Sequence, residues 1–395
     1  MEASLTSKEV QEWIKKNYKK DIPSLILKGS PFNKIPVQEL ADQLQSRKKS
    51  EKKLPTWFST NNIIYPKSLS IEQTSSEQTA KYKASLIGGN SLLDLTMGFG
   101  VDTFYFSKSV NQLIAIERQL HLAEKVSHNF KIFGVNNVSI ENTSSEEYLA
   151  NTKQTFDWIY LDPARRDENK NKVFKLSDCE PNVIELKNDL FKRSNNVMVK
   201  TSPMLDITQG IIELEDVTEV HVVCLNNEVK ELLWILSKKY QSKAPIFKIV
   251  ELKEGNNFIS EYKPSNDSID LTFSEPLEYI YQPHVGFLKA GLSDFTATEN
   301  SLNKIEVNTH LYTSKSFIKN YKGRIFKVKH IALFNKKEVK KQYSHKQYTV
   351  VSKNFPLQSE ELKKTFKIKE GKDDCLLFFR GQKNKKYVVE AKRVY

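Results

Sequence analysis

Two short apolar runs, each ending in an acidic residue, constrain the fold of this chain more than any other feature. Residues 91–103 read SLLDLTMGFGVDT, an apolar run that reaches Asp94 and continues into a turn containing Gly98 and Gly100. A second apolar run, LIAI, ends directly at Glu117. A buried strand, a glycine turn, a helix and a second buried strand are typical of a doubly wound α/β sheet, which binds ligands at the carboxyl ends of its strands. The pattern predicts such a sheet, with a ligand site at that edge.

The glycine turn differs from a dinucleotide-binding loop. The string GFGVDT lacks the third glycine of G-x-G-x-x-G, and the Asp94 carboxylate just before the turn would repel a pyrophosphate. A cationic or zwitterionic ligand suits that carboxylate better, and S-adenosylmethionine (SAM) has a sulfonium and an amino-acid group but no phosphate. The stretch resembles the nucleotide-binding loop of class I SAM-dependent methyltransferases. The alternative is a glycine turn in another kind of α/β protein.

This resemblance implies a set of cofactor-binding residues around the turn and the second strand. Glycines let the backbone approach the ligand closely, and a carboxylate at the ribose can accept hydrogen bonds from two hydroxyls. We therefore expect SAM to be bound by the following residues: Asp94, Thr96, Gly98, Gly100, Asp102 and Glu117.

A strand-end Asp-Pro pair is the next landmark. The apolar run Trp158–Leu161 leads directly into Asp162 and Pro163, and strand ends are where α/β enzymes hold their chemistry. The string LDPARRD resembles the fourth motif of nucleic-acid methyltransferases, in which an acid or amide followed by proline faces the target base. The resemblance implies catalytic roles for Asp162 and Pro163. An ordinary Asp-Pro turn is the alternative.

The residues around this motif limit the chemistry. Ala164 and Arg165 follow Pro163, so the aromatic residue that stacks on a flipped base in many exocyclic-amine methyltransferases is absent. The D-P-x-R pattern is closer to RNA pyrimidine C5 methyltransferases, which need a cysteine nucleophile at the end of the next strand. The corresponding stretch, VMVKTSPMLD, contains no cysteine, and Cys224 in HVVCL is predicted to be a core residue. A covalent C5 mechanism is therefore disfavoured.

Three cations near the motif are candidates for substrate binding. Arg165 and Arg166 could hold a nucleic-acid phosphate through bidentate contacts, or they could pair with the acids that follow them. Lys200, at the end of the fifth predicted strand, could contact substrate or simply neutralise Asp162. The sequence leaves these alternatives open.

Charge is distributed unevenly along the chain. Residues 301–395 contain 24 lysines and arginines against 8 aspartates and glutamates, a local charge of +16, whereas the whole chain carries +13 and the first 300 residues therefore −3. A basic region beside a nearly neutral remainder indicates a nucleic-acid partner, here RNA. A lysine-rich solubilising surface is the alternative.

Composition narrows the class of protein. The 395 residues include three cysteines without a CxxC pair or a regular Cys/His cluster, so disulfides and a metal site are not expected. His284 and His310 are predicted to be hydrogen-bonded loop residues. No apolar run approaches the roughly 18 residues that span a bilayer, and the start has no signal-peptide pattern. We expect a cytoplasmic protein without a membrane partner.

The chain divides into four predicted parts: a helical region at 1–80, in which Ser75 or Ser76 caps the helix before the first strand; a SAM-dependent methyltransferase domain at 81–270; a small ferredoxin-like α+β domain at 271–330; and a basic THUMP-like domain at 331–395. Within the second part, VKELLWILSKKY is predicted to be a helix and FKIVEL with FISEYK a hairpin. Within the third, a helix is expected between LYTS and GRIFKV. The last part is predicted to contain a strand, a helix after Ser359 and two further strands.

The arrangement as a whole resembles a bacterial family of class I SAM-dependent methyltransferases with a ferredoxin-like domain and a C-terminal THUMP-like domain. The resemblance is carried by SSEQTA, LDLTMGFGVDT, LDPARR, EYIYQPHVGFLKAGL, NTHLYTS, GRIFKV and the tail SKNFPLQSEELKKTFKIKEGKDD. It implies an α/β fold with a Rossmann-like methyltransferase sheet, an N-terminal helical region and small C-terminal α+β domains. It also implies SAM as cofactor and an RNA substrate, because THUMP domains are RNA-binding modules. The alternatives are a methyltransferase acting on protein or a small molecule, and a non-catalytic RNA-binding protein with this fold.

Overall fold

The computed structural model describes residues 4–165, 175–238, 244–263 and 270–394. Contacts divide the chain into two units, the first formed by Met1–Val223 with Glu231–Ile246 and the second by Cys224–Lys230 with Phe247–Tyr395. Within the described residues, no helix is both long enough and apolar enough to cross a membrane.

The N-terminal region of the first unit is helical, which confirms the prediction. Ser76 caps the last of these helices, because its hydroxyl accepts a hydrogen bond from the backbone N–H of Thr79 at 3.2 Å, as Ser and Thr caps do. The helices are α1 (Lys8–Asn17), α2 (Ile22–Leu27), α3 (Val37–Lys53), α4 (Pro55–Ser59), α5 (Ser68–Gln73) and α6 (Glu77–Leu86).

The remainder of the first unit is an α/β sheet with helices. Its elements are β1 (Ser91–Asp94), α7 (Val101–Phe106), β2 (Gln112–Ile116), α8 (Leu120–Phe133), β3 (Val138–Glu141), α9 (Ser145–Asn151), β4 (Trp158–Leu161), β5 (Ala164–Arg165), β6 (Cys179–Glu180), α10 (Val183–Arg193), β7 (Asn196–Thr201), α11 (Ile207–Leu214), β8 (Val217–Leu225) and β9 (Glu228–Ser237).

Strand order brings the predicted site residues to one edge of this sheet. The strands run β8-β9-β7-β4-β1-β2-β3, with β7, β4, β1, β2 and β3 parallel and β9 antiparallel to β7. Leu93 in β1 lies between Ile114 of β2 and Ile159 of β4. Parallel strands covered on both faces read as continuous apolar runs, which is why LLDL and WIYL were readable as strands.

The segment VKELLWILSKKY was predicted to be a helix, and this prediction is wrong, because its residues 229–237 belong to strand β9. Residues 232–236 are all buried there, and a short apolar run does not distinguish a buried strand from a buried helix. The turn supplies the missing signal. Asn226 and Asn227 have φ of +55° and +57°, the left-handed conformation that a two-residue type I′ hairpin turn requires at both positions.

The second unit contains the hairpin predicted from FKIVEL and FISEYK, in which Val250 lies opposite Ile259, and a seven-stranded sheet in the order β13-β14-β12-β15-β18-β17-β16. The elements are β10 (Ile246–Leu252), β11 (Phe258–Tyr262), β12 (Tyr279–Pro283), α12 (Val285–Lys289), α13 (Ser293–Glu299), β13 (Asn303–Glu306), β14 (Thr309–Ser314), β15 (Gly323–Leu333), α14 (Lys336–Tyr343), β16 (Gln347–Lys353), α15 (Ser359–Phe366), β17 (Lys369–Arg380) and β18 (Lys386–Arg393).

Predictions for the second unit are mostly confirmed, with one error. The strands and the helix expected in the last part are present as β16, α15, β17 and β18. The helix expected between LYTS and GRIFKV is wrong, because β14 ends at Ser314 and residues 315–322 form turns. The Tyr281 hydroxyl satisfies the backbone there without a helix: it donates to the carbonyl oxygen of Ser316 at 2.7 Å and accepts from the N–H of Ile318 at 3.1 Å.

Candidate active site

A cavity of about 310 Å³ opens at the carboxyl ends of the central strands of the first unit. Strand β2 delivers Glu117 to it and β4 delivers Asp162, while the turn after β1 contributes Thr96, Gly98 and Gly100. The cavity lies at the edge of the sheet where the sequence predicts a ligand site.

The glycine turn is held in one conformation by the strands around it. Gly98 and Gly100 have φ of +55° and +76°, which favour glycine. At Gly100 a side chain would also collide, because an added Cβ would lie 2.7 Å from Cγ1 of Val126. The N–H of Met97 donates to the carbonyl oxygen of Ile116 at 3.0 Å. The backbone of the turn is therefore fixed against β2 and exposed to the cavity.

Glu117 is a rigid acceptor at the end of β2. One carboxylate oxygen accepts from the N–H of Gly98 at 3.0 Å and the other from the N–H of Gln119 at 2.8 Å. The side chain lines the cavity although it is only 8% exposed. Burial raises the pKa of Glu117, opposed by the two backbone hydrogen bonds and by Arg118.

Asp94 lies beneath the turn. It is fully buried, and its carboxylate accepts from the N–H of Thr96 at 3.0 Å and from the hydroxyl of Thr103 at 2.6 Å. Burial raises its pKa to about 7. Among the described residues, Asp94 is not one of those that line the cavity. Its hydrogen bonds instead join the end of β1 to α7.

Asp162 is oriented from two sides. Its N–H donates to the hydroxyl oxygen of Thr96 at 2.7 Å, and its Oδ2 lies 2.5 Å from the Nζ of Lys200. The Asp162 side chain is 31% exposed and lines the cavity, and Pro163 behind it is buried. No described residue bonds to Oδ1 of Asp162. One oxygen is therefore fixed and the other is open to a ligand in the cavity.

A buried charge cluster supports this arrangement from below. The ammonium of Lys83, in α6, is fully buried. It donates to the hydroxyl of Ser75 at 2.8 Å and to Oε1 of Glu231 at 2.9 Å, and lies 3.2 Å from Oδ1 of Asp102. The other Asp102 oxygen accepts from the hydroxyls of Ser75 and Tyr160, at 2.7 and 2.9 Å.

Neighbouring charges shift the pKa values of Asp102 and Lys200 toward their ionised forms. Burial would raise the pKa of Asp102, but the ammonium groups of Lys83 and Lys200, with the two hydroxyl hydrogen bonds, lower it. Burial would likewise lower the pKa of Lys200, but the carboxylates of Asp162, Glu231 and Asp102 raise it. The ionised form of each group is therefore stabilised by its neighbours.

Two members of the cluster were missed by sequence reasoning. Lys83 follows Thr79 and Ala80 at helical spacing, and both are buried, so its place on the inner face of α6 was a readable signal. Glu231 begins the apolar run ELLWIL, and assigning that run to a helix concealed its position in β9, next to Leu232, which pairs with Thr201 of β7. The motif SSEQTA contributes Ser75 both to the cavity lining and to the cluster.

The charge of the cavity lining is mostly negative. Among the described residues it includes five acids and one arginine: Asp102, Glu117, Glu146, Asp162, Glu180 and Arg118. Arg118 and Glu180 form an ion pair at 2.9 Å. Such a lining disfavours a pyrophosphate and suits a ligand with cationic groups. No cysteine is present among the described lining residues.

The segment after β3 also contributes to the cavity, and Arg165 and Arg166 were predicted to bind substrate. After β3, Thr143 and Ser144 line the cavity, whereas Asn142 donates to the carbonyl oxygen of Glu117 at 2.7 Å. The backbone of Arg165 pairs with Cys179, but its side chain and all of Arg166 lie outside the described residues.

In the second unit, His284 is hydrogen-bonded as predicted. Its Nδ1 accepts from the N–H of Gly286 at 3.2 Å, and its Nε2 lies 2.9 Å from Oε2 of Glu251. Cys224 is buried, as predicted for a core residue, and its sulfur lies with the side-chain ligand atoms of Glu251 and His284 within 4.8 Å of one another.

Comparison with known proteins identifies the architecture. Residues 279–321 match a ferredoxin-like domain and residues 323–393 a THUMP domain-like family. A crystal structure from Porphyromonas gingivalis W83, provisionally described as a methyltransferase, superposes with a TM-score of 0.84 at 28% identity and covers 100% of both chains. The chain therefore combines a methyltransferase-like fold with a ferredoxin-like and a THUMP-like domain.

Curated relatives cover a smaller part of the chain. It is 30% identical over 83 residues to Ribosomal RNA small subunit methyltransferase J of Francisella tularensis subsp. novicida (strain U112), which is 18% of this chain and 34% of the relative. It is 27% identical over 139 residues to the protein of that name from Francisella philomiragia subsp. philomiragia, which is 30% of this chain and 58% of the relative. The matches thus span from about a third to less than two thirds of these relatives.

Proposed function

We propose that this protein is a SAM-dependent methyltransferase that modifies a base of RNA, and that its substrate is RNA of the small ribosomal subunit. The observation that carries the proposal is the acidic, glycine-lined cavity at the strand ends, with Glu117 and Asp162 fixed on either side of it. The names of the curated relatives support the choice of RNA class.

The residues of the cavity fit SAM. In this proposal the Glu117 carboxylate accepts the ribose hydroxyls, and the backbone around Thr96, Gly98 and Gly100 contacts the amino-acid part. Asp94 and Asp102 act by holding the turn and α7 from below, because their carboxylates are engaged by Thr103 and Lys83, respectively. Bound SAM would supply an electrophilic methyl group on a sulfonium.

Asp162 is proposed to orient the target base. Its Oδ2 is fixed by Lys200, so Oδ1 can accept a hydrogen bond from the nucleophilic group of the base. If that group carries a proton, Oδ1 is positioned to accept it as a general base. Pro163, which has no N–H and a restricted φ, fixes the backbone that follows. Lys200 is assigned to holding Asp162 rather than to the substrate. The absence of cysteine from the described cavity lining argues for a nitrogen or oxygen nucleophile.

RNA is proposed to contact the basic second unit, with Arg165 and Arg166 as further phosphate contacts.

The division at 1–80, 81–270, 271–330 and 331–395 is retained as a domain proposal. A cytoplasmic location is expected of an enzyme acting on ribosomal RNA.

The test is transfer of labelled methyl from SAM to acceptors purified from a strain lacking the gene. Acceptors are small-subunit rRNA, intact small subunits, tRNA, DNA and protein extract. We expect label in small-subunit RNA with wild-type protein. With Asp162→Ala the rate should fall by about 10²–10⁴-fold, while SAM affinity measured by calorimetry changes less than about twofold. Asp189→Asn, an exposed carboxylate on α10 paired with Lys192, serves as the matched control and should retain activity.

Each outcome bears on the proposal. Label in protein extract alone would replace RNA by a protein acceptor, and label in tRNA alone would overturn the ribosomal assignment. SAM binding without transfer to any acceptor would contradict the proposed activity, and absence of SAM binding would indicate a non-catalytic protein with this fold.

A further inference from the structure

A second cavity, of about 270 Å³, lies in the second unit beside the ends of β16 and β17. Its lining includes Lys353, the last residue of β16, and Arg380, the last residue of β17. A third cation, Arg324 of β15, adds an electrostatic repulsion that lowers the pKa of Lys353. We call Arg324, Lys353 and Arg380 the cation cluster.

The cation cluster lacks the carboxylates that neutralise other cations of this unit. Neither the ammonium of Lys353 nor the guanidinium of Arg324 makes a hydrogen bond or ion pair to any residue in the described part of the chain. Elsewhere in the unit, Lys304 lies 2.8 Å from Asp294, Lys329 lies 2.6 Å from Asp374 and Lys385 lies 2.8 Å from Glu275.

Arg380 adds unused hydrogen-bonding capacity. Its Nη1 donates to the side-chain oxygen of Asn384 at 2.6 Å, whereas its Nε is buried without a hydrogen-bond partner in the described residues. The carboxylate of Glu306 reaches this region, but it accepts from Asn354 and Thr309 and neutralises none of the three cations.

The arrangement opposes folding rather than supporting it. Lys353 is half-buried, and burial together with the guanidinium of Arg324 lowers its pKa. The folded state thus disfavours the charged ammonium and places a second positive charge beside it. Cations held together without carboxylates are expected where an anion binds, because bound anions repay that cost.

We propose that the cation cluster is a binding pocket for a phosphate group of the RNA. The ammonium of Lys353 and the planar guanidinium groups of the two arginines together supply the donors that phosphate oxygens accept. The ring of Phe355 also lines the cavity, which gives an apolar surface beside the phosphate for a ribose or base. The identity of the polynucleotide as RNA rests on the function proposed above.

The test is binding of small-subunit rRNA to the full chain without SAM, measured over a series of salt concentrations. Lys353→Gln should weaken binding about tenfold and reduce the slope of log K against log salt by about 0.7–0.9, the value for one phosphate contact. The matched control is Lys340→Gln, which removes an exposed charge from α14 of the same unit. It should change affinity less than about twofold and leave the slope unchanged. Equal effects of the two substitutions would overturn the proposal.

Stability distinguishes a ligand pocket from a structural role. Lys353→Met should weaken RNA binding but raise the melting temperature of the free protein or leave it unchanged, because it removes an uncompensated charge. A lower melting temperature together with wild-type RNA affinity would assign Lys353 to the fold and overturn the proposal. Inorganic phosphate tests whether the pocket binds a free anion instead of RNA. That would be the case if phosphate raised the melting temperature of the wild-type protein but not of Lys353→Met, while RNA affinity did not depend on Lys353. This result would overturn the proposal.

The readouts separate this proposal from the proposed function. If RNA binding depends on Lys353 but no RNA is methylated, the proposed pocket is supported and the proposed activity is contradicted. If RNA is methylated and the Lys353→Gln variant binds RNA as tightly as the wild type, the proposed activity is supported and the proposed pocket is contradicted. RNA carrying a 5′-phosphate or a 5′-hydroxyl then identifies which phosphate binds, since a dependence on Lys353 only with the phosphorylated end indicates a terminal group.

Discussion

Two lysines that the fold buries, Lys83 completely and Lys353 in part, have opposite surroundings. In the first unit the fully buried ammonium of Lys83 lies within 3.2 Å of oxygen atoms from Ser75, Glu231 and Asp102. In the second unit the ammonium of Lys353 has Arg324 as its charged neighbour and no carboxylate partner among the described residues. The comparison suggests that Lys83 is present for the fold and Lys353 for a ligand.

Substitution of Lys83 and substitution of Lys353 should change the free energy of unfolding in opposite directions. Removing one partner of a buried, hydrogen-bonded ion pair leaves an uncompensated charge in a low-dielectric interior and is strongly destabilising. Removing a cation that has no partner releases a charge that the folded state disfavours. Opposite signs of stability change would therefore establish the contrast, and equal signs would break it.

The largest expected effect is that of Lys83→Met. It leaves the carboxylates of Asp102 and Glu231 buried without this cation, so the free energy of unfolding of the first unit should fall by about 3–5 kcal/mol. Tryptophan fluorescence during urea unfolding measures this unit selectively, because all four tryptophans of the chain, at positions 13, 57, 158 and 234, lie within it.

A double substitution checks that the loss comes from pairing. Glu231→Gln removes the acid whose two oxygens lie 2.9 and 3.1 Å from Lys83. The combination Lys83→Met with Glu231→Gln should cost about 0.5–3 kcal/mol less than the sum of the single losses. Strictly additive losses would show that the two side chains do not stabilise each other.

Asp94 extends the comparison of buried charges to an acid, because its carboxylate is hydrogen-bonded by Thr96 and Thr103 and not paired with a lysine. Burial raises its pKa from 3.8 to about 7, so the folded state favours the protonated form. This stabilisation is complete below about pH 4 and is lost as the pH rises through about 7. Asp94→Asn stays neutral, so its stability relative to wild type should increase over that window, by about 4 kcal/mol at most.

The measurement is the urea midpoint of tryptophan fluorescence for both proteins at several pH values between about 4 and 8. The difference between the two proteins isolates Asp94 from other groups that titrate in this range. A difference that does not vary with pH would contradict the raised pKa.

The sequence predicted the elements that position the site better than it predicted how the charges pair. Strand ends at Asp94, Glu117 and Asp162 were readable because each strand is a continuous apolar run that ends in an acid. The pairing of Lys83 with Glu231 was not readable, because the residues are 148 positions apart and their contact depends on strand order. The resemblance to a known family indicated the domains but supplied no such contact.

Errors in secondary structure arose where local signals conflicted. ELLWIL has both the length of a strand and the composition of a helix, and the conformation of Asn226 and Asn227 decided for a hairpin. Asp94 shows the same limit for a site residue. Its position before the glycine turn was predictable, but the direction of its carboxylate, toward Thr103 and away from the cavity, required the packing of α7 against β1.

Glu117→Ala has the next largest expected effect, on ligand binding rather than on stability. In the proposed function its carboxylate accepts the ribose hydroxyls, and loss of a charged hydrogen-bond partner should weaken SAM binding by about 10–100-fold. Isothermal titration calorimetry with SAM measures the affinity. Glu124→Ala on α8, whose side chain is 63% exposed, is the matched control. Wild-type affinity of the Glu117 variant would remove this residue from the ribose role.

The smallest expected effect is that of Lys329→Gln, which removes one partner of an exposed ion pair and so tests whether burial determines the contribution of a pair to stability. Lys329 lies 2.6 Å from Asp374, yet the two side chains are 43% and 52% exposed, so water screens the attraction and the pair is expected to contribute about 0.2–1 kcal/mol. Lys329→Gln should shift the melting temperature measured by calorimetry by no more than about 2 °C, and the shift should shrink at higher salt. A loss as large as that from Lys83→Met would mean that proximity alone determines what an ion pair contributes. A small loss would assign the large effect at Lys83 to burial, the property that Lys353 partly shares without a carboxylate to offset it.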